Sequence, residues 1–309
     1  MEQNSSNLKI RPMSIVAQEA IDYIRGRKEH SVVSLRTRWD KLNSQCMGGI
    51  EPNTVYTFTG ISGTGKSSLA NLIATDIIDL NPSEDIVILN FSLEMVGFRQ
   101  VGRTLSNKLK RTTSDLYSSE KDLDDKTFAS VVSVASKLKK YPIYFVDNPG
   151  TSTQVKNTIM AFYEQYVKGT GKHFIIMYDH ALLTTRDGSV LETISNLLQV
   201  FIQAKKLPLT SVILLTQMNR NIEQPERINN PSGHFPMRSD LSSSDAVFQG
   251  SDYVLAMHRP ELLGIREYGP MKLPTENKVY MHILKNRDAG KPCIIEFEND
   301  LKFNNLIEC

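Results

Sequence analysis

Gly60-Ile61-Ser62-Gly63-Thr64-Gly65-Lys66-Ser67 follows the apolar run Val55-Tyr56-Thr57-Phe58-Thr59 and precedes apolar residues at Leu69, Leu72, Ile73, Ile77 and Leu80. This reads as a buried strand, a glycine-rich loop and a helix with one apolar face. Glycine, four residues, glycine, lysine and serine in that setting is the pattern of a phosphate-binding loop. The glycines let successive backbone N–H groups turn toward phosphate oxygens, and the helix N-terminus adds its positive dipole end. The bland alternative is a glycine-rich turn with an accidental lysine. At ordinary glycine usage it would arise in about one chain in a hundred of this size, before the flanking strand and helix are required. Ser62, Gly63, Thr64, Gly65, Lys66, Ser67 and Ser68 are therefore the expected nucleotide-binding residues. Lys66 reaches the β- and γ-phosphates and Ser67 places its hydroxyl on a metal, so the expected cofactors are ATP and Mg²⁺.

Outward from the loop, short apolar runs recur at Ile86 to Phe91, Pro142 to Val146, Phe174 to Tyr178, Ser211 to Thr216, Tyr253 to Met257 and Val279 to Leu284. Helix-like segments separate several of them. Strands alternating with helices imply a mostly parallel sheet covered on both faces, because parallel neighbours need crossover connections. The fold class is α/β. Cys293 to Phe297 and Lys302 to Leu306, around the turn-like Asn299-Asp300, predict an antiparallel C-terminal extension. Before the first strand, Ile15, Ala20, Ile21 and Ile24 approximate helical spacing and predict an arm helix over Met13 to Lys28. That helix either packs on its own domain or docks on a neighbouring subunit. The expected division is an arm over residues 1–32 and an ATPase body over 33–309. Thr112 to Lys126 and Asn219 to Asp245 lack periodicity, and the second is long for a passive connection.

Composition narrows the class. The chain has 309 residues, 40% hydrophobic and 23% charged, as ordinary globular proteins do. No apolar run approaches the roughly 18 uncharged residues of a membrane span, and Met1 to Ile10 lacks the apolar core of a signal peptide. Cys46, Cys293 and Cys309 show none of the close pairings of zinc or redox sites, so reduced thiols in a cytoplasmic protein are expected. A net charge of +2 gives no global attraction to nucleic acid, so any such binding must come from a local basic lining.

Further site candidates stand at strand ends. Phe174 to Tyr178 runs into Asp179, as the second metal-holding carboxylate of a phosphate-loop enzyme is presented. Ile88-Leu89-Asn90-Phe91-Ser92-Leu93-Glu94 sets a carboxylate where it could act as a general base, or as an ordinary surface glutamate. Gln217 ends a third strand and could sense the γ-phosphate. Lys285 and Arg287, one residue apart, point the same way from a strand edge. They are either a solvated edge or a finger reaching another subunit's nucleotide.

Together these residues resemble the motor domain of DnaB-like replicative helicases, which is RecA-like and hexameric. The resemblance runs through Phe91-Ser92-Leu93-Glu94-Met95, Thr216-Gln217-Met218-Asn219-Arg220-Asn221-Ile222-Glu223-Gln224, Ser239-Asp240-Leu241 and Lys285-Asn286-Arg287. It implies Glu94 as catalytic base, Asp179 as metal acid and Gln217 as phosphate sensor, with Lys285 and Arg287 acting in trans. Arg103 falls where the family sets an arginine against adenine, and the arm matches a linker helix that docks on the next subunit. The implied activity is a helicase motor in bacterial or phage DNA replication. Its implied partners are single-stranded DNA, further copies in a homo-hexamer, and a primase or helicase loader, with no membrane. Two departures stand out. Too few residues precede the phosphate loop for the family's separate N-terminal helical domain, which meets primase. After Asp240-Leu241 the family's arginine, acid, small residue and glycine, which grip DNA phosphates, are replaced by Ser242, Ser243, Ser244 and Asp245. Arg238 with Ser242, Ser243 and Ser244 is then the expected DNA contact, and Arg220 and Arg227 share its loop. The second departure keeps a different reading open: a RecA-like ATPase that remodels or loads a protein partner, or a recombination-mediator type, without unwinding DNA.

Overall fold

The computed structural model describes residues 10–120, 122–242, 244–288, 290 and 292–309. Its helices are α1 (Met13–Lys28), α2 (Asp40–Gln45), α3 (Lys66–Asp79), α4 (Gly97–Leu109), α5 (Thr113–Tyr117), α6 (Asp125–Leu138), α7 (Ser152–Tyr166), α8 (Val190–Ala204), α9 (Pro225–Ile228) and α10 (Ser244–Gly250). Its strands are β1 (Val55–Thr59), β2 (Ile86–Ser92), β3 (Ile143–Val146), β4 (His173–Asp179), β5 (Thr210–Leu215), β6 (Tyr253–His258), β7 (Glu267–Tyr268), β8 (Leu273–Pro274), β9 (Lys278–Asn286), β10 (Ile294–Asp300) and β11 (Asn305–Glu308).

Nine strands form one sheet in the order β11-β10-β9-β6-β1-β5-β4-β2-β3. From β6 to β3 the neighbours are parallel, whereas β9, β10 and β11 pair antiparallel. This is the expected α/β class with its antiparallel extension. β1, β2, β4, β5 and β6 are buried at every position, which requires cover on both faces. Alternate strand residues feed two cores. On one face Phe58, Ile88, Ile175 and Ile213 meet Leu69, Leu72, Ile73 and Ile77 of α3. On the other, Val87, Leu89, Ile176 and Leu214 meet Ile159 of α7 with Leu197 and Phe201 of α8. Each such side chain, fully buried, contributes about 1.5–3 kcal/mol. α7 and α8 start on capping boxes, Thr151 with Gln154 and Ser189 with Glu192, which fix where each crossover begins.

One expectation needs correction. The C-terminal turn lies later than Asn299-Asp300: β10 continues to Asp300, Leu301–Phe303 form a 3₁₀ turn, and β11 starts only at Asn305. Asn304 closes the turn at φ 50°, a left-handed conformation asparagine tolerates, and its side chain bonds Ser106 Oγ at 3.1 Å. The described residues of the two aperiodic stretches are held by local polar pairs. Thr112 caps α5 through a box with Asp115. Within Asn219 to Asp245, Arg227 donates to both carboxylate oxygens of Asp240 at 2.9 and 3.1 Å. Local pairing of polar side chains leaves no apolar period to read.

The chain divides into two compact units, residues 1–34 and 35–309. In the first, α1 occupies the expected span. Arg11 pairs with Glu19 at 2.6 Å, and Met13 and Ile24 are 79% and 66% exposed.

Candidate nucleotide-binding site

β1, β5, β4 and β2 are successive parallel neighbours, so their C-terminal ends share one edge of the sheet. The phosphate-loop residues, Gln217, Asp179 and Glu94 follow those strands in that order. Ligands of open parallel sheets bind at this edge.

The loop closes tightly. A side chain at Gly60 would come within 2.5 Å of the Met257 carbonyl, and Gly63 and Gly65 sit at φ 80° and 91°, where glycine is strongly favoured. Leu301 covers the loop, since a Cβ on Gly65 would lie 2.7 Å from it. Gly65 caps α3, and the Leu69 N–H is bonded to its carbonyl at 2.8 Å. The N–H groups of Lys66, Ser67 and Ser68 belong to the first turn, which has no intrahelical acceptors. Thr64 Oγ1 braces the loop by donating to the Ile61 carbonyl at 3.0 Å. Ser62 is exposed. The hydroxyl of Ser68 is turned to Asn304 Oδ1 at 3.2 Å and so away from the loop.

Lys66 folds back on the loop, donating to the carbonyls of Gly60 and Ile61 at 2.8 Å each. Burial lowers its pKa to about 8, against the pull of the Asp179 and Glu94 carboxylates. Asp179 shows the converse: burial raises its pKa to about 6, while a hydrogen bond from the Ser67 hydroxyl and the charges of Lys66 and Arg103 oppose the rise. Ser67 and Asp179 thus face each other, as a shared metal would require. Arg103 on α4 lies within electrostatic reach of both Asp179 and Glu94, and its own pKa is lowered by burial.

Glu94 is half exposed and follows a turn whose Leu93 and Glu94 N–H groups donate to the Asp179 carbonyl at 2.9 and 3.3 Å. Behind it runs a buried chain that sequence reading missed. Asn90 donates to Gln100 at 2.8 Å, and Gln100 donates to Ser92 Oγ at 2.7 Å, which bonds the Met95 carbonyl. The one signal for it is an asparagine inside an apolar strand. His180 also belongs to the site. Its Nε2 lies 3.9 Å from Glu94 and 3.4 Å from the amide nitrogen of Gln217. The Asp179–His180 peptide is cis.

Among the described residues, Thr59 Oγ1, Thr216 Oγ1, His180 Nδ1 and His258 Nε2 are buried without a partner. The first three lie at the ends of β1, β5 and β4. Buried polar groups are normally satisfied. Orphans gathered there, beside a self-occupied lysine and a desolvated carboxylate, fit a polar ligand such as a metal-bound triphosphate.

The remaining candidates lie elsewhere. Lys285, in β9, donates to the Phe248 carbonyl at 2.5 Å, and Arg287, just beyond, pairs with Asp252 at 2.8 Å. Arg238 pairs with Asp245 at 2.7 Å, so that acid engages the loop arginine. Arg227 is held by Asp240, and Arg220 is exposed. The Ser242 N–H donates to the Gln217 carbonyl at 3.1 Å, Ser244 begins α10, and Ser243 lies outside the described residues.

Comparison with known proteins bears on this arrangement. Residues 34–305 match the model of the DnaB-like helicase C terminal domain family. Similar curated proteins include the replicative DNA helicase DnaB of Buchnera aphidicola subsp. Baizongia pistaciae, 23% identical over 84% of this chain and 54% of the relative. The same-named protein of Haemophilus influenzae is 25% identical over 79% of this chain and 50% of its own length. The chain thus spans about half the length of the curated relatives it matches. Among solved structures, one described as an ATPase domain superposes with a TM-score of 0.76 at 18% identity, covering 94% of this chain and 98% of that one. A DnaB-like replicative helicase, described with its interactions with primase, gives 0.75 at 17% identity over 98% of this chain and 68% of its own. At such identities these superpositions establish the RecA-like fold.

Proposed function

Because this chain belongs to the DnaB-like helicase C-terminal domain family, we propose that it is an ATP-hydrolysing helicase motor that moves along single-stranded DNA as a homo-hexamer during replication. One observation carries the reading: Lys66, Ser67, Asp179, Glu94 and Gln217 converge at the ends of four adjacent strands. Residues 1–32 act as the arm that docks on the next subunit, and 33–309 as the motor body.

On ATP binding, Lys66 exchanges the Gly60 and Ile61 carbonyls for the β- and γ-phosphates. Ser67 and Asp179 would hold Mg²⁺, which would neutralise charge on the phosphate oxygens. Arg103 flanks the nucleotide at the base, as the resemblance implies. Glu94 accepts a proton from the attacking water. Its half-exposed carboxylate leaves room for that water, and the Asn90-Gln100-Ser92 chain steadies the turn that presents it. Gln217 senses the γ-phosphate, and its main-chain bond to Ser242 carries the signal toward the loop of Arg238 and Ser242 to Ser244, which meets DNA phosphates. Lys285 and Arg287 act on the neighbouring subunit's nucleotide. The reaction belongs in the cytoplasm, and a primase or loader is a fitting further partner. No helix among the described residues is long and apolar enough to cross a membrane.

A second reading has its own support. Asp240 engages Arg227 and Asp245 engages Arg238, which leaves little unpaired positive charge in the loop and favours an ATPase that remodels or loads a protein partner. Steady-state ATP hydrolysis with and without single-stranded DNA, on protein sized by light scattering in the same buffer, separates the two. A hexamer stimulated by DNA supports the motor. Hydrolysis indifferent to DNA supports the remodelling ATPase, and no hydrolysis defeats both.

A further inference from the structure

Residues 245–252 hold cations arriving from two directions. From the loop, Arg238 pairs with Asp245 at 2.7 Å and lies over the Phe248 ring, its guanidinium carbon 4.6 Å from the centroid. From the sheet, the Lys285 ammonium lies 5.2 Å from the same centroid and donates to the Phe248 carbonyl at 2.5 Å. Two residues further along β9's exit, Arg287 pairs with Asp252, which Lys205 also contacts at 2.5 Å. Phe248 itself is partly buried and packs on the second core.

An aromatic face attracts each cation near it, while the two cations repel each other. The ring is therefore a shared seat, held best by one occupant. Arg238 is the exposed one and pairs with an exposed acid, so a row of phosphates can draw it away. Lys285 is anchored to the Phe248 main chain and stays. Resting on the motor reading above, we propose that Phe248 is a positioning residue that couples engagement of Arg238 by nucleic-acid phosphate to the seating of the Lys285–Arg287 finger. With Arg238 on the ring the finger is idle. With Arg238 withdrawn, Lys285 holds the ring alone and the finger is set for the adjacent subunit.

Removing Arg238 should then mimic engagement. Arg238→Gln is expected to raise kcat for ATP hydrolysis without DNA by about threefold to fivefold, the weight of one cation–π contact near 1 kcal/mol. The same substitution should do nothing in a Phe248→Leu background, which keeps the apolar contact but lacks the ring, and should regain its effect with Phe248→Tyr. Thermal midpoints and light scattering on each variant show whether fold and assembly are kept. KM for ATP should stay constant, which a merely structural loss would not allow. An Arg238→Gln effect equal in all three backgrounds, or a fall in kcat, overturns the coupling while leaving the ATPase reading intact. Wild-type protein that does not hydrolyse ATP overturns both.

Discussion

The two ends of the proposed reaction differ in how their charges are settled. At the phosphate loop, Thr59, Thr216 and His180 carry orphaned atoms, while Lys66 donates to two carbonyls of its own loop and both Lys66 and Asp179 have pKa values displaced by burial. At the finger and the long loop, the cations are already paired, Arg227 with Asp240, Arg238 with Asp245, Arg287 with Asp252 and Lys285 with the Phe248 carbonyl. The orphaned hydroxyls and ring nitrogen need only a ligand, and Lys66 gives up only neutral carbonyls of its own loop. Arg227, Arg238 and Arg287 must leave a carboxylate, so this end can act only when something else offers a better contact. The contrast assigns ligand capture to one region and conditional response to the other.

The most severe way to break that contrast is Arg287→Ala in hexamers mixed with wild-type subunits. A trans arginine in phosphoryl transfer is worth about 10³ to 10⁵ in rate, so hydrolysis at the affected interfaces should fall by that order, read as turnover against mixing ratio. Stability should barely change, because Arg287 is half exposed and Asp252 keeps Lys205 and the Val55 N–H at 2.8 Å. Mixing Arg287→Ala subunits with Lys66→Ala subunits gives the direction: a trans cation restores hydrolysis where a Lys66→Ala subunit lends its finger to an Arg287→Ala site, and no recovery would mean that the cation works within its own subunit.

Glu94→Gln probes the other region. Loss of a general base costs about 10² to 10⁴ in kcat, with ATP affinity retained, and single-turnover hydrolysis beside nucleotide-binding titration measures both. Wild-type turnover would move the base elsewhere, with His180 the next group to test.

The smallest expected effect is in pH. Asp179 must be ionised to hold a metal, and its pKa raised to about 6 means that activity rises with pH through that value. Lys66 must be protonated to bind phosphate, and its pKa lowered to about 8 means that activity falls above it. kcat/KM, which reports the free enzyme, should therefore be bell-shaped between about 6 and 8, with each limb approaching a tenfold change per pH unit. Arg103→Gln removes a cation that opposes the Asp179 rise, so the acid limb should move upward. An unmoved limb would detach Arg103 from this site.

Much of this was legible in the sequence. Strands buried on both faces appear as uninterrupted apolar runs, and Val55 to Thr59, Phe174 to Tyr178 and Ser211 to Thr216 lie within a residue of their observed places. The phosphate loop was legible because its chemistry demands fixed spacing. What escaped depends on pairing between distant residues. Nothing near Arg287 announces Asp252, and nothing near Gly65 announces Leu301. The C-terminal turn was misplaced because Asn299-Asp300 carries turn residues, while Asn304, bonded to Ser106 and Ser68 on two helices, decides where the chain reverses. Position in the loop marks Ser68 for the nucleotide but does not show that the same asparagine takes up its hydroxyl.

β3, at one border of the large sheet, is a strand of four residues. A border that short gives another chain little ladder to extend. Joining copies edge to edge through it is therefore disfavoured, and contacts between copies there are left to side chains, helices and loops. Such joints can open and close one at a time without unzipping main-chain hydrogen bonds, which would suit the proposed motor, whose subunits must slip past one another on every cycle.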